Sequence, residues 1–427
     1  MSDHWFQTTL GSISKAKGGK RLPKGTDLIS EATTHPYIRT KDISDHKIRT
    51  QEIKYVPDDV FPSIQRYTVD SGDLIISIVG TVGSCAIVPG SLHKASLTEN
   101  CAKIVEIDNQ RVLREFLYYF LVSEEGQRCI QERVVGSTQP KLPLYGIESI
   151  PIGLPALQDQ KAIAHILGTL DDKIELNRKT NETLEAMAKA LFKSWFVDFD
   201  PVRAKAEGRP TGLPDEISDL FPDSFEDSEL GEIPSGWEVQ SIGEISNNYD
   251  SKRVPVSGND RAKRRGSFPY YGATGIVDWI DDFLFEGTYL LIGEDGSVER
   301  DDGTAFSQYV SGRIWVNNHA HVLTGAKGVS TEQLYLYFQF ILVAPYVTGA
   351  VQLKISQGRL NSIPVVVAPR AVNAYFSGIA QSMFDQRIAI EREKSTLALV
   401  RDSLLPKLIS GEIRIPDAER MLEEVGV

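Results

Sequence analysis

The chain contains an internal duplication that marks both ends of each copy. The segment that begins at Trp5 recurs at Trp237, and the segment from Gly136 to Pro151 recurs from Gly349 to Pro364. The stretch between the two matching segments is shorter in the second copy than in the first. A repeat of this size predicts one domain-sized unit made twice, so the fold must contain two similar halves.

The first part of each copy predicts a mixed α and β domain. Residues 73–79 and 289–292 are apolar runs of strand length, and glycines follow both. Neither glycine cluster fits a phosphate-binding motif, so we interpret them as tight turns. The aromatic segment 114–120 resembles the segment around Tyr337-Phe338 and predicts an equivalent helix in each domain.

The second part of each copy predicts one long helix with a seven-residue apolar repeat. At 1.5 Å per residue, each helix would be roughly 55 to 65 Å long, too long to bury against one small domain. We therefore expect the two helices to pair with each other. The predicted seam consists of Ile163, Leu167, Leu170, Ile174, Asn177, Asn181, Leu184, Leu191 and Trp195 in the first helix, and Phe376, Ile379, Met383, Gln386, Ile390, Leu397 and Leu404 in the second.

Three polar residues interrupt this seam near the helix midpoints. Asn177, Asn181 and Gln386 would form a buried polar layer if the helices pair antiparallel about a pseudo-two-fold axis. Alternatively, all three face solvent. The seam pattern alone leaves both interpretations open.

These features together predict an α+β fold with two similar α/β domains, separated by two long antiparallel coiled-coil helices in a pseudo-two-fold repeat. The predicted boundaries are residues 1–153 for the first domain, 154–199 for the first helix, 200–232 for an acidic linker, 233–367 for the second domain, 368–411 for the second helix and 412–427 for a tail.

Charge is distributed unevenly along the chain. The net charge is −12, yet residues 15–24 and 252–265 are basic runs that begin at equivalent places in the two copies. Residues 211–232 carry only acidic charges. Clustered Lys and Arg favour nucleic-acid binding over a solvated loop only when other features agree. No apolar run of membrane-spanning length and no signal-peptide pattern is present, so we expect a cytoplasmic protein. The three cysteines are expected to be reduced and buried.

Several short motifs resemble the specificity subunits of type I restriction-modification systems. They are the segments 150–163 and 170–174 at the first helix, 236–245 at the start of the second domain, and 403–413 at the end of the second helix. Their order of domain, helix, domain and helix covers essentially the whole chain. The acidic-Gln signature of the first helix has drifted at Ala371-Val372-Asn373.

This resemblance implies a DNA-recognition subunit without a catalytic site, cofactor or metal of its own. Each domain would read one half of a bipartite site in double-stranded DNA. The helices would set the spacing between the halves and dock two DNA-methyltransferase subunits, which would hold S-adenosylmethionine. A nuclease-translocase subunit would join this complex.

Residues that suit phosphate contact and base reading are expected on loops of the two domains. Tyr270 and Tyr271 are candidates for stacking on bases. For each candidate, an ordinary surface role is the competing interpretation. The other candidates are Lys20, Arg21, Lys24, Thr138, Gln139 and Lys141 in the first domain, and Lys252, Arg253, Arg264, Arg265, Gln352 and Lys354 in the second.

Other function classes have weaker support. A nuclease site would need Asp45, Glu52 and Lys54 to hold Mg²⁺, and this pattern is common by chance. The segment 198–201 only superficially resembles the Asn/Asp-Pro-Pro-aromatic motif of a methyltransferase. His319 and His321 would supply half of a metal site, but a structural pair is the expected role. A coiled-coil scaffold would explain the helices and leave the basic domains without a purpose.

Overall fold

The computed structural model describes residues 5–349, 351–424 and 426. Strands and helices alternate irregularly in both halves, and one helix of about forty residues closes each half. The first half contains β1 (Phe6–Thr9), β2 (Lys15–Gly18), β3 (Pro36–Ile38), β4 (Ile43–Ser44), β5 (Lys47–Ile48), β6 (Lys54–Tyr55), β7 (Thr68–Val69), β8 (Leu74–Ser77), β9 (Cys85–Ile87), β10 (Ala95–Leu97), β11 (Cys101–Val105), α1 (Arg114–Val122), α2 (Glu124–Gln131), α3 (Leu144–Glu148), β12 (Pro151–Leu154) and α4 (Leu157–Phe196).

The second half follows a similar order after a connecting segment. Its elements are α5 (Asp200–Ala206), α6 (Asp215–Ser218), β13 (Phe225–Ser228), β14 (Gly231–Pro234), β15 (Glu238–Ser241), α7 (Ile242–Ile245), β16 (Ser246–Asn248), α8 (Gly258–Arg261), β17 (Arg265–Tyr271), β18 (Ile276–Ile280), β19 (Phe285–Gly293), β20 (Ser307–Val316), β21 (Ala320–Gly325), α9 (Thr331–Tyr337), α10 (Gln357–Asn361), β22 (Pro364–Val367), α11 (Arg370–Ser410) and α12 (Ile415–Glu424).

The described chain forms two compact units, and each unit takes part of both long helices. The first unit comprises residues 1–176 and 394–427, and the second comprises residues 177–393. Each has its own large apolar core. The sequence placed the boundaries at the ends of α4 and α11, whereas the compact units divide within these helices.

The two units contain the same four-stranded arrangement. In the first unit one sheet has the order β2-β11-β8-β9, and in the second the order β16-β21-β19-β20 forms part of a six-stranded sheet that ends in β17-β18. A further sheet of the first unit has the order β6-β3-β10-β7. Strands β8 and β19 cover the two apolar runs that predicted buried strands, and the structure confirms that prediction.

A two-stranded clasp joins the entry and exit of each domain. β1 pairs antiparallel with β12 with Phe6 opposite Leu154, and β15 pairs with β22 with Glu238 opposite Val367. The two registers are equivalent, because the paired residues occupy corresponding positions of the duplicated sequence. Next to each clasp a glycine is required, because an added Cβ at Gly11 would lie 2.9 Å from the Cβ of Glu148. The same holds for the equivalent glycine of the second clasp, Gly243, where the added Cβ would lie 2.9 Å from the Cβ of Asn361.

The long helices run antiparallel within the second unit. The amide of Asn177 donates to Glu393 at 3.0 Å, that of Asn181 donates to Glu391 at 3.4 Å, and Arg387 lies 2.7 Å from Glu185. Residue numbers thus rise along α4 while they fall along α11. Asn177 is buried, so it belongs to a polar layer.

Most seam positions are buried or half-buried, but Gln386 is exposed. It lines an open groove on the helix surface and does not contribute to the polar layer. The helix faces tilt relative to the ideal heptad here, and Phe384, which lies two residues earlier and outside the predicted seam, is fully buried instead. The buried seam positions are Ile163, Leu167, Leu170, Asn177, Trp195, Phe376, Leu397 and Leu404, and the half-buried ones are Ile174, Asn181, Leu184, Leu191, Ile379, Met383 and Ile390.

The connecting segment and the tail are folded. Val202 and Phe221 of the predicted linker are buried in the core of the second unit, as is Phe199 just before it. In the tail, Ala418 and Leu422 of α12 are buried in the core of the first unit. The acidic charges of residues 211–232 therefore lie on a packed segment.

Burial also accounts for the cysteines. Cys85, Cys101 and Cys129 are free and buried, as predicted. Burial raises the pKa of the Cys101 thiol to about 12, which keeps it protonated. Among the described residues, no helix combines the length and apolarity needed to cross a bilayer.

Candidate nucleic-acid interface

Two equivalent loops extend from the same place in the two domains. In the first domain, residues 135–141 form a hairpin closed by a bridge between Val135 and Lys141. In the second, a bridge between Thr348 and Lys354 closes the equivalent loop. Both lysines also bridge to the segment that follows the central strand, at Val79 and at Asp295 respectively. We call these two segments the reading loops.

A glycine at the same position permits the sharp turn in each reading loop. Gly136 has φ 89° and Gly349 has φ 96°. An added Cβ at Gly136 would approach the carbonyl oxygen of Gln139 to 2.9 Å, and one at Gly349 would come closer still to that of Gln352. Only glycine therefore fits both positions without displacing the loop.

The tips of the reading loops are exposed and polar. Thr138, Gln139 and Lys141 are exposed in the first loop, and Gln352 and Lys354 in the second. A glutamine amide presents a donor and an acceptor side by side, which matches the edge of adenine in the major groove. Val351 is fully exposed in the second loop and offers an apolar surface for a thymine methyl group.

A cluster of charged side chains underlies the second reading loop. His321 Nδ1 lies 2.5 Å from Asp250 Oδ2, and its Nε2 lies 2.8 Å from the carbonyl oxygen of Ile355, just after the loop. Arg253 Nη1 lies 2.7 Å from Glu294, and Lys354 Nζ lies 3.1 Å from the same carboxylate. His321 is 1% exposed. Both ring nitrogens of His321 therefore lie within hydrogen-bond distance of oxygen atoms.

The cluster depresses the pKa values of its two carboxyl groups. Burial raises the pKa of Asp250, but the hydrogen bond and charge of His321, the backbone N–H of Val322 and the charge of Arg253 together outweigh it, so the pKa lies below the ordinary value. Burial also raises the pKa of Glu294, but the hydrogen bonds and charges of Arg253, His321 and Lys354 together outweigh it and lower the pKa. Both groups are therefore held as carboxylates that anchor the base of the loop.

Asp250, Glu294 and His321 have the spacing of a possible metal site. However, Arg253 and Lys354 already supply positive charge to the same carboxylates. The arrangement is therefore a buried ion-pair network, and a metal ion would compete with both side chains. His319 lies apart from it and pairs with Asp295. The structural role of the two histidines stays a prediction.

The basic candidates of the first domain are on the surface. Lys20, Arg21 and Lys24 are exposed. Arg21 Nε lies 2.5 Å from Glu99, and Lys20 Nζ lies 5.8 Å from the ring of Tyr67. The exposed ion pair of Arg21 can exchange partners at little cost, so it does not exclude a contact with phosphate.

The basic candidates of the second domain divide into exposed and buried groups. Lys252 and Arg265 are exposed, and Arg264 is half-buried against Trp315 and paired with Asp281. The prediction for Arg253 was wrong in this structure, because its side chain is 12% exposed and engaged in the charged cluster. Its guanidinium also donates to the carbonyl oxygen of Ala320.

The two stacking candidates differ in the same way. Tyr270 is 1% exposed and packs against Trp315, so it cannot stack on a base without unfolding β17. The prediction for Tyr270 was therefore wrong. Tyr271 is half-buried. Sequence analysis did not single out Trp279, which is half exposed on the edge strand β18. The alternation of exposed Trp279 with buried Ile280 is the signal that could have identified it.

The candidate catalytic groups are engaged in other contacts. Asp45 pairs with Arg49, and Lys54 donates to the hydroxyl of Ser30. Asp198 pairs with Lys193, just before α5 begins. These contacts give no support to a nuclease or methyltransferase site.

Comparison with known proteins identifies a matching family and similar relatives. The type I restriction modification DNA specificity domain family matches residues 2–186 and 234–395. The chain is 25% identical to the specificity subunit of the type I restriction enzyme HindI from Haemophilus influenzae over 472 aligned residues, covering 97% of this chain and 100% of that protein. It is 24% identical to the MjaIX specificity subunit from Methanocaldococcus jannaschii over 411 residues, covering 90% and 87%.

A solved structure has the same fold. The S subunit of a type I restriction-modification system from M. genitalium aligns with a TM-score of 0.61 and 16% identity, over 96% of this chain and 97% of that one. Its low identity supports the fold alone. The two matched segments of the family cover most of both repeats, and the chain therefore belongs to the type I restriction-modification DNA specificity family.

Proposed function

We propose that this chain is the non-catalytic DNA-specificity subunit of a type I restriction-modification complex, in which each domain reads one half of a bipartite site in double-stranded DNA. The observation that carries the proposal is the pair of equivalent, exposed reading loops. Each contains a glycine with positive φ, is joined to its surroundings by two backbone bridges, and exposes a glutamine and a lysine. A loop whose base is fixed by backbone bridges loses less entropy when it binds DNA.

The long helices are proposed to set the spacing of the half-sites. α4 has 40 residues and α11 has 41. At 1.5 Å per residue each is roughly 60 Å long, which corresponds to roughly 18 base pairs at 3.4 Å each. A helix that is paired along its length resists bending and suits such a role.

The helices also offer a surface for the proposed pair of methyltransferase subunits. In the second unit, Met187 and Tyr375 are 50% and 41% exposed, and they border an open groove of about 690 Å³ with Leu184 and Ile379. Exposed apolar side chains gathered in one groove are typical of protein interfaces. S-adenosylmethionine would bind to the methyltransferase subunits, and a nuclease-translocase subunit would join the complex. We place the assembly in the cytoplasm, where host DNA is the substrate.

The test compares Gln139→Ala and Gln352→Ala in the complex assembled with its methyltransferase. Genome-wide mapping of methylated bases should show relaxed specificity in one half-site for the first variant and in the other half-site for the second. A bidentate contact contributes about 1–3 kcal/mol of discrimination, so its loss should reduce discrimination at one base pair by roughly 5- to 150-fold. Gln240→Ala, on strand β15 of the second clasp, is the matched control. Unchanged recognition by both loop variants would refute the assignment of the loops.

A further inference from the structure

The first unit contains an open apolar groove that is separate from the reading loops. The groove has a volume of about 520 Å³ and lies where the start of α4 meets the end of α11 and the start of α12. Trp5, Ile163, Leu408, Ile413 and Ile415 supply its apolar lining. Its ionisable rim consists of Asp159, Arg414 and Glu419.

The duplication identifies the equivalent place in the second unit. In the repeated sequence, Trp237 corresponds to Trp5, and Trp195 corresponds to Leu408. In the second unit the ring of Phe221 lies 5.0 Å from the ring of Trp195 and 6.4 Å from that of Trp237, measured between centroids. Phe221 is 2% exposed. It therefore fills the position that corresponds to the groove.

The segment that carries Phe221 is held by several further contacts. Ile217 is buried in the same core, and Leu213 and Leu220 pack against it. Lys205 Nζ donates to the carbonyl oxygens of Ser218, at 3.2 Å, and Phe221, at 2.6 Å. The segment thus presents an aromatic anchor and neighbouring Leu and Ile side chains on one face. Among the described residues, none occupies the corresponding groove of the first unit in this way.

We propose that the groove of the first unit is a docking site for a short segment of a partner protein, with an aromatic anchor flanked by Leu or Ile. The second unit shows the kind of segment that fits, because Trp5 and Leu408 occupy the repeat positions of Trp237 and Trp195. The anchor would pack between Trp5 and Leu408, as Phe221 packs between Trp237 and Trp195. The mixed charges of the rim mean that apolar contact, and not net charge, selects the occupant.

The probe is a fluorescein-labelled peptide with the sequence of residues 211–222, titrated into the full chain and followed by fluorescence anisotropy. The same peptide with Phe221→Ala should bind at least tenfold more weakly. In the chain, Ile413→Glu or Ile415→Glu should weaken binding at least tenfold. Leu399→Glu, at a side chain that is 72% exposed on α11 and outside the groove, is the matched control and should bind normally.

Isoleucine methyl NMR keeps the proposal testable if a groove variant unfolds. Added peptide should shift the methyl signals of Ile413 and Ile415 in the unaltered chain, while that of Ile379 in the second unit should stay unchanged. Equal binding of the Phe221→Ala peptide, no binding, or shifts confined to the second unit would overturn the proposal. Peptide binding that became more than tenfold tighter after removal of residues 2–4 would also overturn the proposal. The chain itself would then be competing with the peptide for the groove.

Discussion

His321 and Asp250 form a buried hydrogen-bonded pair in which Nδ1 and Oδ2 are 2.5 Å apart, although the residues are 71 positions apart in the sequence. The other ring nitrogen of His321 binds the backbone at the end of the second reading loop. The pair therefore connects the folding stability of the second domain with the position of its reading loop.

His321→Ala should destabilise the second unit by about 3–5 kcal/mol, because the buried Asp250 carboxylate would lose one of its partners. His319→Ala is the matched control: His319 is 47% exposed, and its loss should cost less than about 1 kcal/mol. Urea unfolding followed by tryptophan fluorescence measures both. Similar urea midpoints for the two variants would show that the buried His321–Asp250 pair contributes no more to stability than the exposed His319–Asp295 pair.

Acid should destabilise the second unit through Asp250 and Glu294. Their pKa values lie below the ordinary values of 3.8 and 4.5, so the stability they contribute is complete above these values. It is lost as the pH falls below about 4.5 and through the lower pKa values of the folded state. Unfolding measured from pH 6 to pH 2 should show this loss. Asp250→Asn should be less stable at pH 6 and have a flatter pH dependence; an unchanged slope would count against the assignment.

Arg253 and Arg265 should behave differently although both belong to one basic run. Arg253→Ala should destabilise the fold by about 3–5 kcal/mol, because Glu294 would keep a buried charge with fewer partners. Arg265→Ala should leave unfolding unchanged and weaken DNA binding by the assembled complex. The plot of log K, the logarithm of the DNA-binding constant, against log salt concentration should have a slope that is shallower by about 0.9 if one phosphate contact is lost. Urea unfolding and salt titrations of binding distinguish the two roles, and a stable Arg253→Ala variant with weak binding would contradict this division.

A heptad inserted into both long helices should lengthen the gap between the half-sites. The insertions belong after Leu176 and after Glu393, where the compact units divide. Seven residues preserve the apolar seam and add roughly 10.5 Å, or about three base pairs. Methylation mapping should show the longer gap with unchanged half-site sequences. An active variant with the original gap would exclude the helices as the spacing element.

The features that recur in the duplicated sequence were the ones that sequence analysis could predict. The central strands, the long helices and the equivalent positions of Gln139 and Gln352 all follow from local periodicity or from the match between the two copies. The charged cluster could not be predicted, because Asp250, Glu294 and His321 come from distant segments and only sheet pairing brings them together.

The sequence also could not predict which side chains within one short segment are buried. Tyr270 and Tyr271 are neighbours with similar chemistry, yet alternation along β17 buries the first completely. Gln386 satisfied the heptad spacing but lies outside the polar layer, because an ideal repeat of seven drifts on a straight helix. The connecting segment is rich in acidic residues, so its sequence did not predict the burial of Phe221. That burial depends on tertiary contacts.

The clasps formed by β1 with β12 and by β15 with β22 make each domain a unit that can be exchanged as a whole. The chain enters and leaves a domain on adjacent strands, with corresponding registers in both copies. Recombination between related genes at these strands would replace everything between them while leaving the reading frame of the long helices and their seam in place. A lineage could thus acquire a new half-site in a single genetic exchange, without having to evolve a new scaffold at the same time.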